Sequence, residues 1–169
     1  MAVNWQRWFR HLFTTRRALG SAFPLAALEA IERAVTASEL AHAGEIRVAL
    51  EGALEPAEVW AGKTPRQRAL EVFAALGVWD TEANNGILIY VLFADHDVEI
   101  VADRGFNGRV STGEWSAVCD AMEVKFRAGQ YEAGAVQGVL QAGQLLARHY
   151  PPLPGGRDED ELPNRPAVF

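Results

Sequence analysis

The stretch Gly86 to Phe93, GILIYVLF, is apolar at nearly every position and rich in β-branched and aromatic residues. A strand with one wet face alternates, whereas a continuous run like this one must be covered on both faces. The chain is thereby directed towards a sheet sandwiched between helices. Extended to Ala94, this is also its longest apolar run, and it is too short to span a bilayer, which takes about 20 residues as a helix. Asp95-His96-Asp97 makes a tight polar turn, and Val98 to Ala102, VEIVA, is the returning strand of a hairpin.

The rest of the pattern fits around that sheet. Pro24 suits a first helical turn, and Leu25, Leu28, Ile31 and Val35 continue a helical stripe to His42, where Gly44 supplies a left-handed stop. Glu45 to Glu51 alternates, with Ile46, Val48 and Leu50 on one face, and reads as a strand. Residues 52–63 read as an irregular loop. Thr64-Pro65 caps and opens a helix that stops at Gly77. Ser111 and Glu114 form a capping box for a helix whose stripe is Trp115, Cys119, Met122 and Phe126. A last helix runs from about Glu132 to His149 and ends at Pro151-Pro152.

The fold class is therefore α/β, a three-layer sandwich with a small mixed sheet of three or four strands and helices on both faces. The first two strands are expected parallel through a right-handed crossover and the last two antiparallel. Three parts follow along the chain. Residues 1–22 form a basic aromatic amphipathic segment, residues 23–150 the α/β domain, and residues 151–169 a disordered tail rich in proline, glycine and acid.

Composition removes several function classes. At 49% hydrophobic and 22% charged the chain is globular. Its single cysteine, Cys119, excludes an intrachain disulfide or a Cys-rich zinc module. A net charge of −6 argues against a nucleic-acid partner bound through bulk positive charge. The charge is segregated, however: Arg7, Arg10, Arg16 and Arg17 all precede the first acid, Glu29. Trp5, Trp8, Phe9, Leu12 and Phe13 make one stripe on a helix, with Arg7, Arg10 and His11 off it. Aromatic rings beside arginines suit an anionic membrane surface. The same segment also suits docking on its own domain or on a second copy, so a homo-oligomer stays open. Arg16-Arg17 interrupts any signal-peptide core, and the expected location is cytoplasmic, with peripheral attachment to the inner membrane face as the alternative.

Two motifs are discounted. Gly62-Lys63-Thr64 lacks the upstream glycine of a phosphate loop, with Ala57 in its place, and Glu55 and Glu58 would repel a triphosphate. Cys119 lies on a helical core stripe, where a cysteine acts as a small hydrophobe. The better site comes from topology. Strand one starts at Glu45, strand two is approached by Asp80, Glu82, Asn84 and Asn85, and strand three exits at Asp103, Arg104 and Gly105. All three loci share one end of the sheet. Glu45, Asp80, Asn84, Asn85 and Asp103 then offer hard oxygen ligands for Ca²⁺ or Mg²⁺. On the plainer reading Asn84-Asn85-Gly86 is only a turn and Asp103-Arg104 a local ion pair. Gly86 and Gly105 would let backbones approach closely. No organic cofactor and no catalytic residue is indicated.

The stretch Asn84 to Tyr90, then Asp95 to Val101, then Arg104-Gly105, resembles the core of the TPM domain family. Gly44 to Val48 and Trp79-Asp80 are similar as well, over about residues 24–150. The chain looks most like short bacterial members with a basic aromatic N-terminus in place of a signal peptide and a C-terminal membrane helix. The resemblance implies an α/β sandwich, Ca²⁺ at the cluster end in some members, and weak acid phosphatase activity in a plant member. It also implies a membrane-linked role beside LemA-like membrane proteins. Asn84 stands where many members have Asp, and Asp103 where others have a small residue, so a cation site here is expected to be rearranged or absent. The expectation is a non-enzymatic binding module at or near a membrane, with a metal-dependent phosphatase or a structural homo-oligomer as alternatives.

Overall fold

A computed structural model describes residues 4–152 and 161–169. Its helices are α1 (Trp5–Phe13), α2 (Arg16–Ala22), α3 (Leu25–Glu39), α4 (Pro56–Trp60), α5 (Pro65–Ala75), α6 (Thr112–Arg127) and α7 (Tyr131–His149). The strands are β1 (Glu45–Glu51), β2 (Gly86–Leu92), β3 (Asp97–Ala102) and β4 (Ala167–Val168), in the spatial order β3-β2-β1-β4. β1 runs parallel to β2 with Glu45 beside Gly86, and β3 returns antiparallel with Ala102 beside Ile87. The starts of β1 and β2 and the end of β3 thus lie at one end of the sheet, as the hairpin and crossover pattern requires. Among the described residues, no helix is long and apolar enough to cross a membrane.

Two cores explain the unbroken apolar run of β2. Ile87, Ile89 and Val91 join Ile46, Val48 and Leu50 of β1 and the inward faces of α3, α6 and α7. Leu88, Tyr90 and Leu92 point the other way, into a smaller core with Val59 of α4 and Ala69 and Val72 of α5. Covering both faces removes every β2 side chain from water, which is why none is charged and the one hydroxyl, on Tyr90, donates to Glu51 at 2.7 Å. The Thr64 cap of α5 and the Ser111–Glu114 capping box of α6 form as read, Gln67 completes a box with Thr64 that the sequence reading did not name, and Gly77 is left-handed at φ 66°.

The structure differs from the sequence reading at three places. Residues 52–63 contain a short helix, α4, because Glu55 and Glu58 make a capping box around Pro56. Gly44 does not have a positive φ; it is a glycine because a Cβ there would press on Leu146. The expected disordered tail does not hold for residues 161–169, which lie along β1, while residues 153–160 fall outside the described residues. The cause is the second face of β1, whose polar side chains are buried. Glu45 accepts a hydrogen bond from Leu162 N–H at 3.2 Å, the Arg47 guanidinium donates to the carbonyls of Pro163 and Arg165, and β4 pairs with Ala49 and Leu50. Buried polar groups need partners, and this segment supplies them.

Candidate functional site

At the polar end of the sheet the backbone is drawn tight. Glu45 N–H donates to Asn85 O at 3.2 Å, Asp103 N–H to Gly86 O at 2.9 Å, and Gly105 N–H to Asn84 O at 3.0 Å. A Cβ on Gly86 would overlap the Val78 carbonyl, and one on Gly105 would overlap the Asn84 carbonyl and the Tyr150 hydroxyl. Asn84 turns the chain in the left-handed region, φ 52°, and its Oδ1 accepts from Arg104 Nε at 2.7 Å.

The five expected ligands do not converge as a set. Asp80 is exposed on the turn after α5. Glu45 is buried and engaged with Leu162. Asn84 is occupied by Arg104. Asn85 and Asp103 are different. Asn85 Nδ2 donates to Ala43 O and Asp103 Oδ1 accepts from Arg104 N–H, but Asn85 Oδ1 and Asp103 Oδ2 are both buried without a hydrogen-bond partner among the described residues. Among the described residues, no three histidine, cysteine, aspartate or glutamate side chains gather as a metal-holding group.

The opposite end of the sheet carries α1, seated in an unexpected orientation. Its polar side faces the domain. Asp95, in the turn after β2, receives Arg7 Nε at 2.9 Å, Arg10 Nη2 at 2.6 Å and His11 Nε2 at 3.0 Å. Arg7 Nη1 also donates to Lys63 O at 2.8 Å. His11 is buried, and its Nδ1 accepts from Leu54 N–H at 3.0 Å, so the ring proton sits on Nε2, towards the carboxylate. Burial alone would raise the Asp95 carboxyl, but His11, Arg10 and Arg7 together hold it well below the usual carboxylate range.

The aromatic stripe consequently faces water. Trp5, Phe9, Leu12 and Phe13 are 46–72% exposed, and only Trp8 tucks against the smaller core. Trp60 of α4, itself exposed, extends the patch, with its ring edge-on to Trp5 at 5.4 Å. Phe9 and Phe13 stack at 6.2 Å. Arg10 on the same helix and Arg16 and Arg17 at the start of α2 are exposed. Sequence reasoning found the stripe but missed Asp95, which lies 88 residues from Arg7 and looked like a turn residue.

Other potential nucleophiles have structural roles. Ser38 Oγ lies 3.0 Å from His42 Nε2, a contact the sequence reading did not anticipate. Gly44 N–H donates to His42 Nδ1, so Nε2 carries the proton and has no lone pair to activate the hydroxyl. Burial, with the charges of Glu99, Glu123 and Asp97, pushes the Cys119 thiol up to about 12 against the Ile100 N–H that lowers it. Lys63 is held by Glu58 and Glu71 at 2.6 and 2.7 Å, which removes it from any phosphate role.

Known proteins share this architecture. The BA42 protein from the psychrophilic bacterium Bizionia argentinensis, solved by NMR, is 34% identical with a TM-score of 0.74, over 85% of this chain and 93% of that one. The N-terminal domain of a protein from P. gingivalis is 25% identical with a TM-score of 0.56, over 77% of this chain and 82% of that one. No curated protein matches. The family model described as the TPM domain matches residues 21–145, a span that runs from the end of α2 through the whole hairpin and into α7. By that match, and by the agreement of sheet order with sequence motif, the chain belongs to the TPM domain family.

Proposed function

We propose that the protein is a peripheral binding module that attaches to an anionic membrane surface through α1 and Trp60. The observation that carries this reading is the inverted seating of α1. A helix with an aromatic stripe normally hides that stripe against its own core. Here Arg7, Arg10 and His11 are spent on Asp95 and the rings are left outside, with Arg16 and Arg17 exposed at the start of α2 just beyond Phe13 in the chain. Rings at headgroup depth with guanidinium groups beside them match the two halves of an anionic lipid interface.

The test is sedimentation with vesicles of phosphatidylglycerol or phosphatidylcholine. Binding should favour the anionic vesicles, weaken with salt, and fall at least tenfold in Phe9→Ser/Phe13→Ser, since each buried ring contributes about 1.5–3 kcal/mol. The melting curve should not move, because both rings are exposed. Equal pelleting of the variant would refute the reading. Dimerisation lost in the variant, without vesicle binding, would assign the patch to a second copy instead.

A second reading concerns the polar end, where a Ca²⁺ or Mg²⁺ ion would be held by Asn85 Oδ1 and Asp103 Oδ2. Two buried, unpartnered hard oxygens support it. Metal-assisted phosphate-ester hydrolysis, the enzymatic alternative, would depend on that ion. Calorimetric titration of each cation with Asp103→Asn as control decides the matter: saturable heat lost in the variant supports the site, and no heat at millimolar cation removes both ideas.

A further inference from the structure

β3 is an edge strand, and a cleft of about 680 Å³ runs along its free side beneath α6. That volume falls in the range of about 300–1,000 Å³ usual for ligand sites. Asp103 N–H pairs with Gly86 O, which fixes the parity of the ladder. Residues 99 and 101 hydrogen-bond to β2, while the backbone groups of Val98, Ile100 and Ala102 face outward.

The outward groups are only lightly covered. Val98 N–H donates to Glu123 Oε1 at 3.3 Å, and Ile100 O accepts from Arg66 Nη1 at 2.6 Å. The Ile100 N–H meets the Cys119 thiol of α6; the other two covers are each one long side chain from a neighbouring helix, and a partner's backbone can replace them. Such side-chain covers are how proteins blunt an edge until the right strand arrives.

The charges around the cleft say what that strand carries. Asp97 and Glu99 stand on one side of the edge, and Asp120 and Glu123 of α6 on the other, with Arg66 as the one lining cation. Arg66 pairs with Glu99 and Arg127 with Glu123, which leaves Asp97 and Asp120 without a salt bridge among the described residues. Asp97 Oδ1 is buried and has no hydrogen-bond partner. Past Ala102 the lining mixes the apolar Phe106, Val110 and Trp115 with Asn107, Thr112 and Ser116. A second copy of β3 would set acid against acid and is disfavoured by the same charges.

We propose that this cleft docks an extended basic segment of another protein, added as a strand beside β3. Side chains of an added strand alternate between the two faces. Lysine or arginine over Val98–Ile100 therefore meets Asp97 and Glu99 on one face and Asp120 and Glu123 on the other. An apolar residue at the Ala102 end seats against Phe106 and Trp115.

The experiment is an amide NMR titration of the full chain with a seven-residue peptide alternating Lys or Arg with Val and ending in Leu. A counterpart with Glu at every basic position is the control. The basic peptide should saturate with a Kd below about 100 µM and shift the amides of Val98, Ile100, Ala102 and Cys119. Glu99→Gln/Glu123→Gln should weaken it about tenfold, and the exposed Asp120→Asn by about threefold, with unchanged melting. Equal binding of the acidic peptide, unchanged affinity in the variants, or shifts confined to α1 would overturn the proposal. So would the same shifts arising from Ca²⁺ alone, or from self-association without peptide.

Discussion

Asp95→Asn should undock α1 while leaving the domain folded. The Asp95 side chain is 7% exposed, and its carboxylate is the shared counter-charge of Arg7, Arg10 and His11. Arg7 is 17% exposed and His11 fully enclosed, so removing the charge strands polar groups in a dry site. Breaking a buried pair in this way costs about 3–5 kcal/mol. The low end applies, because Arg7 keeps the Lys63 carbonyl and His11 keeps Leu54 N–H. Arg10, half exposed, adds under about 1 kcal/mol. A loss of about 3 kcal/mol lowers the docking equilibrium roughly 150-fold. Limited trypsin cleavage after Arg7 and Arg10 reads that equilibrium directly, and should accelerate by two orders of magnitude in Asp95→Asn but not in the exposed Asp80→Asn. Because the folded Asp95 carboxyl is held low, its contribution is complete above about pH 4, the unfolded value, and is lost progressively as pH falls below it. Wild-type α1 should therefore stay protected at pH 5 and open only in stronger acid. Protection in Asp95→Asn equal to wild type would show that Trp8 packing, not the ion cluster, holds the helix.

Three further outcomes are expected. Gly86→Ala and Gly105→Ala should each lose about 1–3 kcal/mol, because the new methyl meets backbone carbonyls, whereas Gly20→Ala within α2 has open space and should gain up to about 1 kcal/mol; thermal melts compare the three. Burial, with Glu99, Glu123 and Asp95 nearby and Arg7 opposing, pushes the Asp97 carboxyl up to about 6. Its contribution to stability is present below about pH 4 and lost as pH rises through 6, so Asp97→Asn should be the more stable protein above pH 6, by up to about 2 kcal/mol in urea titrations. Arg47→Met leaves the carbonyls of Pro163 and Arg165 without their donor, and hydrogen exchange of the Phe169 amide, which donates to Leu50 O, should speed at least tenfold while β1 to β3 keep their amide protection.

The sheet was legible because its signal is local. GILIYVLF, the Asp95–Asp97 turn and VEIVA lie within 17 consecutive residues and allow little besides a covered hairpin. Local chemistry also identified the capping box of α6, since Ser111 and Glu114 sit one turn apart. What failed to show depended on partners distant in sequence. Glu45, Arg47 and Glu51 occupy alternate positions of β1 and read as a wet face, yet they are buried by residues 161–169 and by Arg68, which holds Glu51 with two nitrogens. The orientation of α1 was equally hidden, because a stripe and its opposite face are interchangeable until Asp95 is placed. At the polar end, topology correctly brought three loci together, but side-chain direction was beyond it. Asp80 turned outward, Glu45 turned to Leu162, and only Asn85 and Asp103 kept free oxygens.

The position of α1 has a geometric consequence for the whole molecule. It sits beyond the C-terminal end of β2, and Asn85 and Asp103 lie beyond the other end, seven strand residues away, or about 20 Å or more. A protein standing on its aromatic rings is therefore a short rigid post. Its foot is folded before contact, so no ordering cost is incurred on landing, and its tilt is fixed by the Asp95 cluster rather than left to a linker. In the proposed membrane-bound state the far pole would be carried clear of the headgroups, out of reach of lipid phosphate. Under the proposed attachment, whatever that pole recognises would come from the solvent side, with one surface anchoring the molecule and the other left open.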